Sequence, residues 1–281
     1  MTGFRADAGT LRFAVLGYPV RHSLSPRMHE AAFRTLAMSA TYEAIEVPPE
    51  ELGRELARLH AEGYVGLNLT TPHKERAVTL VSGTTAEARE AGAVNTLRRE
   101  PGGWMGHATD GLGFEAWARD SNVQVRGARV LLVGAGGAAR SIAPSLARLM
   151  PASVQIVSRT GAHAHDVAAR LEALSGRMPV RASALEDEPP ANPWDLLIRL
   201  LSAADVGPAE ARWWRGLADG AAVLEGNYEG RAAGARALAQ ARGLRFEDGL
   251  GLLLQQGVRS FEFWLSVEAP VEAMRQALVS R

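Results

Sequence analysis

The chain has 281 residues, of which 47% are hydrophobic and 22% charged, and its formal net charge is zero. This composition predicts a packed globular protein, and the balanced charge argues against broad binding to nucleic acid or to an anionic membrane. The absence of cysteine excludes disulfides, thiolate zinc sites and a cysteine nucleophile. The N-terminal stretch lacks the apolar core of a signal peptide, and no apolar run approaches about 18 residues. We therefore expect a cytoplasmic protein without a membrane span.

Strand-like and helix-like segments alternate from the start of the chain. The apolar run RFAVLG at 12–17 predicts a strand, and a helix is expected to begin at Ser25, with Pro26 in its first position. TYEAIEV and YVGLNLT predict two more strands, separated by a helix over PPEELGRELARLHAEG. A further helix is expected to start in TPHKERAVTLV, with Thr71 as its cap. This alternation implies an open α/β sheet that binds ligands beyond the carboxyl ends of its strands.

A second α/β unit begins near Gly127. ARVLLVGAGGAARSIAPSLARLM predicts a buried strand, a glycine-rich turn and a helix, and SVQIVSR, WDLLIRL and AAVLEG predict three further strands. The C-terminal stretch predicts helices with a break at Pro270, which are too few elements for a separate domain. We therefore expect two open α/β domains separated by a cleft, one formed by 1–110 plus 250–281 and the other by 111–249.

The glycine-rich turn is typical of a dinucleotide site. Gly134, Gly136 and Ala139 form G-x-G-x-x-A, which lets backbone and a helix N-terminus approach a pyrophosphate, although glycines can also mark only a tight turn. The next strand ends at Arg159, where an NAD site usually carries an acid. An arginine suits a 2′-phosphate, so NADP is favoured over NAD unless Arg159 is simply an exposed strand end. The candidate cofactor contacts are Gly134, Ala135, Gly136, Gly137, Ala138, Ser158, Arg159 and Thr160.

Polar side chains collect at strand ends of the first unit. Asn68 and Thr70 alternate with two leucines and so share one face of a strand, which suits a ligand better than packing. Lys74 falls in the first turn of the expected helix, where the helix dipole should favour loss of its proton and so suit proton exchange. Asp110 lies in a glycine-flanked loop and is a candidate partner for Lys74. The simpler interpretations are a solvated lysine and a helix-capping aspartate.

The segment HSLSP carries two serines before Pro26. Ser25 suits a helix N-cap, which leaves Ser23 without a structural role. In an extended segment a spacing of two points both hydroxyls to the same side, where they could hold one ligand. If the segment binds no ligand, the pair is only a turn.

These motifs, in this order and over nearly the whole chain, resemble the shikimate dehydrogenase family. GYPVRHSLSPRMH resembles its substrate-binding opening, NLTTPHK its catalytic-lysine segment, GAVNTL its substrate asparagine segment and TDGLGF its catalytic aspartate segment. GAGGAAR with SRT resembles its NADP site, and GLLLQQG carries its late glutamine. The resemblance implies an N-terminal shikimate-binding domain and a Rossmann-type NADP-binding domain. It also implies reversible NADPH-dependent reduction of 3-dehydroshikimate to shikimate, in aromatic amino-acid biosynthesis.

The resemblance implies a role for each matching residue. Lys74 with Asp110 is the acid/base pair, and the nicotinamide supplies the hydride chemistry, so no metal is needed. The substrate carboxylate is bound by Ser23 and Ser25 with Tyr228, and the cofactor site gains Gly249. The remaining substrate contacts are Asn68, Thr70, Asn95 and Gln256, in addition to Asp110. We expect a small-molecule substrate, no nucleic-acid partner and a monomer or homodimer.

Several segments depart from the family pattern. RLLSAADV (Arg199 to Val206) stands where the family has an Asn-Ala-Thr segment that lines the nicotinamide, and EGNYEG keeps Tyr228 but has Glu225 as its acid. SRTGAH places His163 where a second basic residue is common. Two alternatives therefore stay open. One is a paralogue that acts on quinate, aminoshikimate or a related polyol acid, and the other is a ligand-binding homologue with impaired catalysis.

Overall fold

The computed structural model describes residues 9–191 and 193–280. The chain divides into two compact units, the first formed by 1–113 and 253–281 and the second by 114–252. The boundaries expected from the sequence were 110 and 250. Each unit contains its own six-stranded sheet, so the α/β prediction is confirmed.

The sheet of the first unit has the strand order β2-β1-β3-β5-β6-β4. β1 pairs in parallel with both β2 and β3, so it is an interior strand and its apolar run is buried. β5 and β6 form an antiparallel hairpin that the helix–strand alternation did not predict. The six strands are β1 (Leu11–Gly17), β2 (Ala40–Glu46), β3 (Gly66–Leu69), β4 (Gly83–Thr84), β5 (Thr96–Glu100) and β6 (Gly103–His107).

Four helices follow strands or turns of this sheet: α1 (Ser25–Thr35), α2 (Leu52–Ala61), α3 (Ala86–Ala91) and α4 (Asp110–Asp120). The leucines of α2 that recur at helical spacing are buried, as the pattern predicts. The N-cap assignment in α1 was wrong by one residue, because Leu24 is the N-cap and Ser25 is the first helical residue.

The α-helix expected from Thr71 is absent. Residues 71–75 form turns, followed by a short 3₁₀ helix at Arg76–Thr79. The Lys74 carbonyl accepts a hydrogen bond from the Val94 backbone N–H at 2.8 Å, so it is used by a neighbouring segment and not by a helical turn. The helix-dipole argument for Lys74 therefore loses its premise.

The sheet of the second unit is wholly parallel, in the order β12-β11-β10-β7-β8-β9. The order reverses between β7 and β10, which makes this pair the topological switch point where doubly wound sheets bind dinucleotides. The edge strands β9 and β12 were not predicted. The strands are β7 (Arg129–Val133), β8 (Ser153–Ser158), β9 (Val180–Ala184), β10 (Trp194–Arg199), β11 (Leu217–Glu225) and β12 (Arg245–Glu247), and the helices are α5 (Gly137–Leu149), α6 (Gly161–Ser175), α7 (Pro208–Trp214) and α8 (Ala233–Ala241).

The C-terminal stretch forms α9 (Leu250–Leu265) and α10 (Val271–Val279), with the expected break at Pro270. Trp264 of α9 donates a hydrogen bond to the Leu97 carbonyl at 2.9 Å and packs on Phe13 of β1. The stretch therefore returns to the first unit, where α10 packs on α1. Within 9–191 and 193–280, no helix combines the length and apolarity that crossing a bilayer requires.

Candidate functional site

Lys74 and Asp110 meet at the carboxyl edge of the first sheet. Lys74 lies in the turns after β3, and Asp110 is the first residue of α4, which follows β6. The lysine Nζ donates a hydrogen bond to Asp110 Oδ2 at 2.7 Å. Both side chains are largely buried, with 14% and 6% of their surfaces exposed. A charged pair so poorly hydrated is held in one geometry, which suits directed proton transfer.

Asn95 holds the other oxygen of the same carboxylate. Its Nδ2 donates to Asp110 Oδ1 at 2.8 Å and to Thr109 Oγ1 at 2.8 Å, while its Oδ1 accepts the Thr109 backbone N–H at 2.7 Å. Gln256 of α9 reaches the same group, with its Oε1 3.4 Å from Asn95 Nδ2. The structure therefore brings Lys74, Asn95, Asp110 and Gln256 together, although they are far apart in sequence.

A buried polar network lies beneath this group. Asn68 Oδ1 accepts the Tyr42 hydroxyl hydrogen at 2.8 Å, and Asn68 Nδ2 faces Ser260 Oγ at 2.9 Å, Thr96 Oγ1 at 3.1 Å and the Asn95 carbonyl at 3.1 Å. Ser260 and Thr96 are completely buried and 2.7 Å apart at their hydroxyl oxygens. Sequence reasoning found Asn68 but missed Tyr42, Thr96 and Ser260. Their hydroxyls carry no pattern that distinguishes them from ordinary core-facing polar residues.

The serine pair occupies a turn and not an extended segment. Leu24 between the serines has φ −85° and ψ −2°, so the expectation that both hydroxyls point one way because the backbone is extended was wrong. Ser23 Oγ instead accepts the Ser25 backbone N–H at 3.2 Å. Ser25 is buried, and burial raises the pKa of the nearby Tyr42 well above its usual range.

Thr70 follows β3, and its backbone N–H donates to the Leu16 carbonyl at 2.9 Å. A Cβ added at Gly17, the last residue of β1, would lie 2.4 Å from Thr70 Cγ2. Only glycine therefore allows Thr70 to approach the end of β1 so closely.

The glycine turn of the second unit has the geometry that a pyrophosphate requires. Gly134 has φ +114°, and a Cβ there would lie 2.6 Å from the Leu200 carbonyl oxygen. The Cβ position of Gly136 meets no atom within 4 Å, and α5 begins at the next residue with no side chain capping its first N–H groups. Open space beside uncapped N–H groups and the positive end of a 13-residue helix fits a phosphate group.

The other candidate cofactor residues follow strands of the same sheet. Ser158 ends β8 and its hydroxyl donates to the Thr160 carbonyl at 2.6 Å, while Arg159 and Thr160 are exposed. Gly249 donates its N–H to the Asn227 carbonyl at 2.9 Å, and a Cβ there would lie 2.2 Å from the Gly226 oxygen. The residues present therefore fit an NADP molecule at the carboxyl edge of the second sheet.

The structure divides the predicted site residues between the two units. The first unit holds Ser23, Ser25, Asn68, Thr70, Lys74, Asn95, Asp110 and Gln256. The second unit holds Tyr228, Gly249, the glycine turn and the residues after β8. Within the part of the chain that the structure describes, no group of three or more histidine or acidic residues is arranged to hold a metal ion.

Three family models match the chain. Residues 15–97 match the shikimate dehydrogenase substrate binding domain, residues 116–186 match shikimate / quinate 5-dehydrogenase, and residues 249–279 match the shikimate 5′-dehydrogenase C-terminal domain. The matched segments include Lys74, the glycine turn and Gln256, whereas Asp110 and Tyr228 lie outside them.

Full-length relatives agree with these models. A protein of Rubrobacter xylanophilus named shikimate dehydrogenase (NADP(+)) is 38% identical over 281 residues, covering 98% of this chain and 97% of its own. A solved shikimate 5-dehydrogenase of Thermus thermophilus, in complex with NADP(H) and shikimate, matches with a TM-score of 0.79 and 30% identity over 95% of this chain and 98% of its own. A ligand-free 5-ketofructose reductase of Gluconobacter matches with a TM-score of 0.77 and 27% identity over 96% and 98%.

Proposed function

Because the chain belongs to the shikimate dehydrogenase family, we propose that it catalyses the reversible NADP-dependent reduction of 3-dehydroshikimate to shikimate. The observation that carries this proposal is the buried Lys74–Asp110 contact, with Asn95 and Gln256 beside it. An ammonium held by a carboxylate at a sheet edge is the proton donor that reduction of a ketone requires.

The protein's own residues hold the substrate and move one proton. Bound NADPH supplies the hydride. As negative charge develops on the carbonyl oxygen, the Lys74 ammonium stabilises it and donates a proton to it, so the ketone becomes a hydroxyl and the lysine a neutral amine. In the reverse direction the neutral Lys74 accepts the proton of the hydroxyl. Asp110 keeps the lysine Nζ in place in both directions, because Asn95 fixes its other oxygen.

The substrate contacts divide by chemistry. Ser23 and Ser25 are assigned to the carboxylate, which hydroxyl donors at the start of a helix bind well. The ring hydroxyls are assigned to Thr70, Asn95, Asp110 and Gln256. Asn68 is assigned to the support of these residues, because both ends of its amide are engaged by protein groups.

The proposed domains follow from these assignments. Residues 1–110 with 250–281 form the substrate domain, and 111–249 form the NADP domain, where Arg159 would bind the 2′-phosphate in two parallel hydrogen bonds. The zero net charge and absence of cysteine support a small-molecule enzyme of the cytoplasm without a nucleic-acid partner. We propose that it is a monomer or a homodimer.

A second candidate is a paralogue that reduces the ketone of another polyol or polyol acid. The match to a 5-ketofructose reductase, whose named substrate is a keto sugar, favours keeping it. The Ser23–Ser25 pair favours a substrate with a carboxylate, such as shikimate or quinate. A third candidate is a homologue that binds the ligand but has impaired catalysis, and it predicts ligand binding without turnover.

The deciding experiment supplies purified protein either with shikimate or quinate plus NADP⁺ or NAD⁺, or with a keto sugar plus the reduced cofactor, and follows the absorbance of the reduced nicotinamide as it forms or is consumed. We expect shikimate oxidation with NADP⁺ to be much faster than with NAD⁺ and faster than quinate oxidation. Preferred turnover of quinate or of the keto sugar would establish the paralogue. No turnover with either cofactor would overturn the proposed function.

A further inference from the structure

The segments RLLSAADV and EGNYEG are joined by a buried ionic cluster in the second unit. Arg199 ends β10 and Glu225 ends the adjacent β11, where the two residues are register partners. The side chains of both are completely buried, and Glu210 of α7 is 3% exposed. We call these three residues the arginine cluster.

The Arg199 guanidinium donates hydrogen bonds to two carboxylates and to one loop carbonyl. Arg199 Nε donates to Glu210 Oε1 at 2.6 Å, Nη2 to Glu210 Oε2 at 3.1 Å, and Nη1 to Glu225 Oε2 at 2.9 Å. Arg199 Nη2 also donates to the Asp205 carbonyl at 3.0 Å. Buried charges are costly unless their hydrogen bonds are satisfied, so a cluster this complete strongly restrains the backbone that it touches.

The cluster ties two loops to each other. Glu225 Oε1 accepts both the backbone N–H of Asn227 at 2.7 Å and its side-chain Nδ2 at 2.8 Å. Asn227 Nδ2 also donates to the Leu201 carbonyl at 2.8 Å. The loop after β10, residues 200–207, is therefore held at Leu201 by Asn227 and at Asp205 by Arg199. The loop after β11, residues 226–228, is held by Glu225.

These loops lie next to the glycine turn. The Leu200 carbonyl oxygen is 2.6 Å from the position of a Cβ on Gly134, and Gly249 donates its N–H to the Asn227 carbonyl. β10 and β11 lie on one side of the switch point, whereas β8, which leads to Arg159, lies on the other. A dinucleotide that crosses the carboxyl edge of such a sheet places its adenosine half at the strand after the glycine-turn helix and its nicotinamide half on the opposite side.

We propose that Arg199, Glu210 and Glu225 are positioning residues that hold the loops 200–207 and 226–228 as the nicotinamide side of the NADP site. This inference rests on the NADP dependence proposed above. The cluster acts through Asp205, Asn227 and their backbone neighbours, without contact with the cofactor.

The test compares two ligands of the protein in the absence of shikimate. NADPH would use both sides of the site, whereas adenosine 2′,5′-bisphosphate carries only the half assigned to Arg159. For Arg199→Met we expect the calorimetric Kd of NADPH to rise about tenfold, and for Asn227→Ala a few-fold, with the bisphosphate Kd unchanged in both. If these residues served stability alone, the substitutions would not weaken NADPH binding more than bisphosphate binding.

A control for position exists at the other end of β10. Arg129 binds Asp195 in the same bidentate way, with Nε 2.9 Å from Oδ2 and Nη2 2.6 Å from Oδ1, at the start of the strands. This pair is more exposed than the arginine cluster, with 41% and 39% of its side-chain surfaces exposed. Arg129→Met removes the pair away from the carboxyl edge, so neither Kd should change. If Arg199→Met does not fold, Asn227→Ala decides, because it removes the loop contact and leaves the buried charges in place.

The positioning role would be overturned by an unchanged NADPH Kd in the folded variants or by equal weakening of both ligands. A wild-type protein that fails to bind NADPH would overturn it as well. A wild-type protein that binds NADPH but does not oxidise shikimate would instead refute the proposed substrate and leave the positioning role standing.

Discussion

Among individual residues, Asp110 organises the proposed catalytic group. One of its oxygens binds Lys74 and the other binds Asn95, so rotation of the carboxylate is blocked from both sides. The lysine Nζ is therefore placed by a rigid partner and not by its own flexible stem. Precise placement matters because proton transfer requires hydrogen-bond distance to the reacting oxygen.

Replacement of Lys74 by methionine tests the proton transfer. Met fills a similar volume but cannot donate, so we expect kcat to fall by a factor of about 10² to 10⁴ while KM for shikimate changes little. Steady-state kinetics in both directions measure this. Arg76→Met, an exposed cation two residues later, is the control and should retain full activity. A Lys74→Met enzyme with near-normal kcat would refute the assignment.

Replacement of Ser23 by alanine tests the serine pair. A lost hydrogen bond to a charged group costs about 1.5–3 kcal/mol, so KM for shikimate should rise at least about tenfold. NADPH affinity, measured separately by calorimetry, should stay the same. If KM does not move, Ser23 serves only the turn in which its Oγ accepts the Ser25 N–H.

Between secondary-structure elements, α4 and α9 meet at glycines. A Cβ added to Gly113 of α4 would lie 2.7 Å from the Gln256 backbone nitrogen, and one added to Gly251 of α9 would lie 2.2 Å from Trp117. The two helices can therefore approach closely enough for Asp110 and Gln256 to share one site. The motif TDGLGF thus contains a packing requirement as well as the aspartate that we propose to be catalytic.

Gly113→Ala tests this close approach. Because the obstructing atom is backbone, a helix must shift, and we expect a loss of about 1–3 kcal/mol in the free energy of unfolding together with lower kcat. Gly53→Ala in α2 is the matched control, since its nearest neighbour is a leucine side chain at 3.5 Å. That variant should gain about 0.5–1 kcal/mol. Urea denaturation of both variants measures the difference, and equal effects would contradict the packing argument.

For the molecule as a whole, a buried histidine links stability to pH. His29 is fully buried against Tyr42, with ring centroids 4.7 Å apart, and neither ring nitrogen has a hydrogen-bond partner among the described residues. Burial lowers the pKa of His29 from 6.5 to about 3. The unfolded chain therefore binds a proton near pH 6.5 that the folded protein does not accept until about pH 3.

The free energy of unfolding should consequently fall as pH drops below 6.5. His29 alone should account for a loss of about 1.4 kcal/mol per pH unit down to about pH 3. His29→Phe keeps an aromatic ring beside Tyr42 and removes the titratable imidazole. Relative to wild type, the variant should gain about 2–3 kcal/mol between about pH 7 and about pH 4.5, measured by urea denaturation. Parallel pH profiles of the two proteins would exclude His29 as a source of acid sensitivity.

Local sequence was sufficient for most elements of the protein and for the glycine turn. Apolar periodicity and glycine stops report on neighbours a few residues away, and the dinucleotide motif is one continuous strand–turn–helix. The same local reasoning failed for the turns after Thr71, because the Lys74 carbonyl is taken by Val94, 20 residues away in sequence.

Long-range folding alone determines how the site is assembled. Asn68 and Ser260 are separated by 192 positions yet share a hydrogen bond. In the sequence, Arg199 and Glu225 look like two ordinary surface charges, although they form a buried ion pair. The polarity of a side chain does not show which distant residue will be its hydrogen-bond partner. A polar group needs that partner only once the sheets have formed and the group is buried. The chemistry of the enzyme can therefore be read from its motifs, whereas the contacts that hold those motifs in place emerge only from the packed chain.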